Sequence, residues 1–145
     1  MEYQEIHLNT DLLPLEISNS PWLYEDNFKI NDKNNVGKWM LFFDKEIIND
    51  SWSFATKLYR ENNLADVLSM KCSTNYNNPR ASRTDNSIII LYCSDSSNEE
   101  KIINIGKNIL KLFDYRDSPI IYYKTDIQTY EGTAATGCKK IIHIN

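Results

Sequence analysis

The sequence predicts an α+β fold: a curved, mostly antiparallel β-sheet backed by two α-helices on one face. Three observations carry this. Gly37-Lys38-Trp39-Met40-Leu41-Phe42-Phe43 is apolar at odd and even positions alike, which predicts a strand covered on both sides. Ser87 to Cys93 is a β-branched apolar run, which predicts a second central strand. Ile102, Ile103, Gly106, Ile109, Leu110 and Phe113 recur at helical spacing and predict an amphipathic helix.

Residues 1–35 read as an N-terminal arm packed on a single domain spanning 36–145. The arm has two apolar islands, Leu12-Leu13-Pro14-Leu15 and Pro21-Trp22-Leu23-Tyr24, in a polar background. Asn27 to Asn35 is rich in Asn, Asp and Lys, which suits an exposed loop. The first strand is expected at Val36 to Phe43. Asp50 or Ser51 is placed to cap a helix beginning near Trp52, with Ala55, Leu58 and Tyr59 on the same face. Asn62-Asn63 ends it, and Val67 to Cys72 is the next strand.

Ser73 to Ser87 reads as a polar loop with Asn77-Asn78-Pro79 as its turn signal. After the strand Ser87 to Cys93, Ser96 with Glu99 and Ser97 with Glu100 form two overlapping capping boxes. The striped helix follows, then a strand over Ser118 to Lys124. A loop of small residues covers Tyr130 to Gly137, and a last strand covers Cys138 to Ile144. Helical crossovers place both helices on one face of the sheet.

The chain has 145 residues, enough for one hydrophobic core, with 41% hydrophobic and 25% charged residues. A net charge of −4 argues against a protein that coats bulk nucleic acid, though not against one small basic pocket. No apolar run approaches the ~20 residues of a membrane span. The start Met1-Glu2-Tyr3-Gln4-Glu5 lacks the pattern of a signal peptide, so a cytoplasmic protein is expected. Cys72, Cys93 and Cys138 read as reduced residues in or near the core. Together with the isolated His7 and His143 they show no metal-ligand spacing. There is no P-loop, Gly-x-Ser-x-Gly or dinucleotide glycine motif, so no cofactor is expected.

Several segments resemble the messenger-RNA cap-binding translation initiation factor. The Gly37–Phe43 run followed by the Trp52 helix resembles its central strand and helix. Arg83-Thr84-Asp85-Asn86-Ser87-Ile88-Ile89-Ile90-Leu91-Tyr92, then Ile105-Gly106-Lys107, resembles its next strand and helix. Ile120-Ile121-Tyr122-Tyr123-Lys124-Thr125-Asp126 and Gly132-Thr133 resemble its closing strands. The loop Pro21 to Asp26 is similar to the segment carrying one cap-stacking tryptophan. The Gly-Lys-Trp-Met strand and the Tyr-Lys-Thr-Asp segment are more similar still to the basophilic-leukaemia-expressed protein family, which shares that fold. The resemblance spans about residues 20 to 144 and implies the sheet-and-helix fold together with a nucleotide-like ligand. Of the factor's two base-sandwiching tryptophans, only Trp22 has a counterpart. After Arg83, Asp85 and Asn86 stand where further phosphate-binding cations would be.

Lys38, Lys71 and Lys124 each fall at the end of a predicted strand, and Arg80 and Arg83 fall on the loop before another. Two readings stand. If they converge, they form a phosphate site of bidentate arginine and point-charge lysine. If they scatter, each is solvated or paired with a local acid. Alternation groups Lys38 with Met40 and Phe42, away from Trp39. Trp39 and Trp52 read as core, while Trp22 is the candidate platform for a base. The reading is a binding module for a phosphate-bearing small ligand, a nucleotide or nucleotide-like group, in a basic concave pocket. An RNA 5′ end is a further candidate partner. The ligand-binding residues are Trp22, Lys38, Lys71, Arg80, Arg83 and Lys124. One alternative is a metal-independent phosphodiesterase or lyase with lysine and tyrosine as acid–base groups, using Tyr92, Tyr122, Tyr123 or Tyr130, residues that equally suit strand packing. Another is a protein-interaction domain without a small ligand.

Overall fold

The computed structural model describes residues 7–28, 36–76, 86–94 and 98–113 in full, and 120–125 and 140–143 as backbone. Among the described residues, seven strands form one sheet. They are β1 (His7–Leu8), β2 (Trp22–Asp26), β3 (Gly37–Asp44), β4 (Val67–Ser73), β5 (Asn86–Cys93), β6 (Ile120–Thr125) and β7 (Lys140–His143). Their spatial order is β1-β2-β4-β5-β3-β6-β7. Among the described residues, β1 and β2 pair in parallel and the other neighbours are antiparallel. Two helices, α1 (Ile48–Arg60) and α2 (Glu99–Phe113), join β3 to β4 and β5 to β6. The α+β architecture with a mostly antiparallel sheet is the predicted one.

Both helices pack on the same face. Strand alternation sends Trp39, Leu41 and Phe43 of β3 inward together with Met70 and Cys72 of β4 and Ile89, Leu91 and Cys93 of β5. Ile48, Trp52, Ala55, Leu58 and Tyr59 of α1 and Ile102, Ile105 and Ile109 of α2 complete that core. Fully burying each aliphatic side chain contributes about 1.5–3 kcal/mol. Trp39 is core, as expected, and its indole lies directly against α2 at Gly106.

Element ends differ from the sequence reading for identifiable reasons. No strand was expected before residue 36, yet Trp22–Asp26 pairs with Ser69–Ser73 along its length. The signal was masked by Glu25 at an inward position, whose burial depends on a distant arginine. Helix α1 begins earlier than an Asp50 or Ser51 cap would allow. A 3-10 turn over Lys45–Ile47 leads into it, and burial of Ile48 draws the helix start back. Ser51 Oγ instead donates to the Ile47 carbonyl at 2.8 Å, inside the helix. The predicted stop at Asn62-Asn63 is a Schellman motif. Asn62 has φ of 62°, Asn63 N donates to Leu58 O and Asn62 N to Tyr59 O.

At α2 the cap falls on Asn98, which accepts the Lys101 amide on Oδ1 at 3.2 Å. Ser96 and Ser97, the expected capping residues, lie outside the described residues. So do the Asn77-Asn78-Pro79 turn, the 130–137 loop and Cys138. A register shift between Val67 and Ser69 bulges β4, so that Val67 and Leu68 are both buried. Among the described residues no helix is long and apolar enough to cross a membrane.

Candidate ligand-binding face

The sheet face away from the helices is set by the same alternation. It receives Trp22, Tyr24 and Asp26 from β2, Lys71 and Ser73 from β4, Ile88, Ile90 and Tyr92 from β5, and Lys38, Met40 and Phe42 from β3. The registers make neighbours of residues far apart in sequence. Lys38 lies opposite Tyr92, Met40 opposite Ile90 and Phe42 opposite Ile88, while Lys71 lies between Tyr24 and Ile90.

The lysines gather around aromatic rings. Lys71 Nζ stands 4.0 Å from the centroid of the Trp22 ring and 5.8 Å from that of Tyr92. Lys38 Nζ stands 5.9 Å from the same Tyr92 ring. Contacts near 6 Å are at the edge of the range in which a ring attracts a cation, so the Trp22 contact dominates for Lys71. Met40 and Ile90 are buried, 6% and 5% exposed, and form an apolar floor between the cations. Neither belongs to the helix-side core.

Trp22 therefore sits on a strand within the sheet. The loop position suggested by its resemblance to a cap-stacking segment is corrected by the β2 pairing. Of the other predicted ligand residues, Lys124 lies on β6 with its backbone opposite Lys38. Arg80 and Arg83 lie outside the described residues. Phe42 was not singled out from sequence, yet it is 40% exposed on this face. Its signal was available, because it shares parity with Lys38.

The helix-side polar groups are structural. Arg60 donates through Nε to Glu25 Oε2 at 2.7 Å and through Nη2 to Glu25 Oε1 at 3.0 Å. It also reaches Asp11 and the Thr10 carbonyl. The Glu25 carboxylate holds the guanidinium well above its ordinary pKa. Tyr59, pushed up chiefly by burial, donates its hydroxyl to Leu68 O at 2.6 Å and accepts the Asn27 amide at 3.0 Å. Burial also drives the Cys72 thiol upward and pushes Cys93 up to about 12. His7 is not catalytically placed: its Nε2 meets Asn19 Oδ1 on the surface. Among the described residues no His, Cys, Asp and Glu group is arranged to hold a metal. Two surface cavities, of about 420 Å³ beside Asp66 and Lys101 and about 250 Å³ beside Glu25 and Arg60, contain none of the six predicted ligand residues.

The family model of basophilic leukemia-expressed protein Bles03 matches residues 26–132, well over half of the chain. The chain belongs to the Bles03 family. No curated protein matches it in sequence. The fold of this Bles03 member is also that of solved translation factors. A schistosome eIF4E complexed with m7GpppG and 4E-BP superposes with a TM-score of 0.69 at 19% identity, covering 92% of this chain and 76% of the factor. A schistosome eIF4E with m7GpppA and 4E-BP gives 0.65 at 18%, covering 85% and 68%. C. elegans eIF4E-3 with Mextli and a cap analog gives 0.55 at 12%, covering 79% and 64%. At these identities the likeness carries the fold and not the site.

Proposed function

We propose that this Bles03-family chain is a binding module for a phosphate-bearing small ligand, a nucleotide or nucleotide-like group, held on the sheet face opposite the helices. The supporting observation is that Lys38 and Lys71, far apart in sequence, flank the single ring of Tyr92. The ammonium groups supply anion recognition, and Trp22 and Phe42 supply ring surface for a base. Lys124, Arg80 and Arg83 add charge as the sequence reading suggests, and an RNA 5′ end is one source of such a ligand. We further infer a reducing, cytoplasmic setting from Cys72 and Cys93, both buried and free.

Isothermal titration against mono-, di- and cyclic nucleotides tests the reading. Binding that the Lys38→Ala, Lys71→Ala double variant weakens at least tenfold supports it. Absence of binding, or binding the double variant leaves intact, overturns it.

A second reading, a protein-interaction surface, draws on the helix layer. Phe54 of α1 is 42% exposed and packs edge-on against Phe113 of α2, with centroids 5.6 Å apart. A partner retained by the chain and released by Phe54→Asp would support it. Retention unchanged by that variant would count against it.

A further inference from the structure

Helix α2 turns a polar arc outward, on the layer away from the sheet face described above. With 3.6 residues per turn, Asn104, Lys107, Asn108 and Lys111 fall within about 100° of one another around its axis. All four are exposed. Among the described residues, none of the four has a side-chain hydrogen bond or an ion pair. The arc is locally unfavourable. Asparagine is a weak helix former, and two lysines four positions apart repel. Among the described residues no contact offsets either cost, so the arc is suited to something outside the chain.

Asn104 and Asn108 also line the cavity of about 420 Å³ beside α2, whose other wall is Asp66 in the turn before β4. Ile105, 6% exposed, gives the cavity an apolar contact surface. Its lining runs from Asn98 to Asn108, about 15 Å along the helix. That is the length of about four or five extended residues. A carboxamide carries a donor and an acceptor side by side. It complements the N–H and C=O that one extended residue presents to the same edge. Asn104 and Asn108 are about 6 Å apart along the axis. Alternate residues of an extended chain face the same edge about 6.6 Å apart. The two carboxamides therefore match two alternate backbone units.

Charge selects the occupant's side chains. Lys107 and Lys111 lie toward the C-terminal end of α2, and Glu100 lies in its first turn. Asp66 is beside that first turn, where it meets Lys101 Nζ at 3.9 Å. A phosphate polymer running along the groove would meet these carboxylates as well as the lysines. A peptide needs acidic residues at the lysine end alone. Among the described residues no large hydrophobic side chain of α2 is exposed, so an apolar helix or a bilayer finds no anchor here. We propose that this groove holds an extended peptide segment of a partner protein, its backbone on Asn104 and Asn108 and its acidic side chains on Lys107 and Lys111. The inference goes beyond ligand binding on the sheet and is independent of it.

The test is an array of hexapeptides probed with the labelled full chain. One set carries Glu-Glu at either end with the remaining positions varied, and a matched set carries Lys-Lys. Backbone N-methylated copies and an oligouridylate are included. The best Glu-Glu peptides should bind about fivefold more tightly than their Lys-Lys counterparts. The Asn104→Ala, Asn108→Ala double variant, at exposed positions where alanine favours the helix, should weaken them about tenfold. N-methylation should do the same. The Lys107→Glu, Lys111→Glu double variant should reverse the preference toward Lys-Lys. Phe54→Asp, on the neighbouring apolar patch, should leave binding intact. Retention of no peptide overturns the proposal, as does tighter binding of the oligouridylate at α2. So does a Glu-Glu preference that survives the charge reversal, or indifference to N-methylation and to the asparagine variant in chains that melt normally.

Discussion

The Trp39 indole and Gly106 are in such close approach that a methyl group at position 106 would stand 2.5 Å from Trp39 Cζ2 and 2.8 Å from Cε2. This contact seats α2 on the central strand. Gly106 is in the middle of a helix, where alanine would ordinarily stabilise by about 1 kcal/mol. Here the overpacking penalty, about 1–3 kcal/mol, opposes that gain, because the ring it meets is fully buried and rigid. Gly106→Ala should therefore lower stability, by up to ~2 kcal/mol, in urea unfolding. The loss should shrink when Trp39→Phe is also present. A more stable Gly106→Ala chain would show that the helix seats differently.

Arg60 and Glu25 make a second such joint, between α1 and β2. The Glu25 side chain is 5% exposed and the Asp11 side chain 96%. Removing the arginine leaves a buried carboxylate without its charged partner. Arg60→Ala should cost about 2–3 kcal/mol, part of it offset because Arg60 itself is half in solvent. Asp11→Asn should cost under about 0.5 kcal/mol, since an ion pair whose acid is in solvent contributes little. Equal effects from both variants in denaturant titration would contradict this ranking.

These joints also show what local sequence conceals. The runs of β3 and β5 and the stripe of α2 were legible because period-2 and period-3.6 patterns are written in consecutive residues. Strand β2 was not, because Glu25 interrupts its inward face and the arginine that permits this lies 35 positions away. The meeting of Lys71 with Trp22 depends on the register between β2 and β4, which no single segment carries. Helix starts were misplaced where a buried side chain, Ile48, outweighed the capping residues nearby. Phe42 was readable as a companion of Lys38 by parity alone, whereas its exposure was not.

The buried thiols set an alkaline limit on stability. Burial raises Cys93 from its ordinary 9.0 to about 12, and Cys72 moves in the same direction. Between the unfolded and folded values the unfolded chain binds fewer protons, so stability falls as pH rises above about 9. The slope should approach ~1.4 kcal/mol per pH unit for each thiol. Tyr59, also shifted upward, adds in the same sense at higher pH. Cys93→Ala should flatten the decline of melting temperature between pH 9 and pH 11, about one thiol's share. An unchanged alkaline limb would show that these thiols ionise as freely folded as unfolded.

The contact between Lys71 and Trp22 is measurable without any ligand. At 4.0 Å from the ring centroid the ammonium is well inside the attractive field of the indole face. The lysine methylene next to Nζ lies in the ring current, so its proton resonances should be shifted upfield and should return to ordinary positions in Trp22→Leu. A double-mutant cycle of Trp22→Leu with Lys71→Met should give a coupling of about 0.5–1 kcal/mol. The exposed limit applies because both residues are only half-buried. Binding of a phosphate compound at Lys71 would draw the ammonium from the ring, and the same resonances would report it. Zero coupling with unshifted methylene protons would mean that Lys71 is not held by the indole.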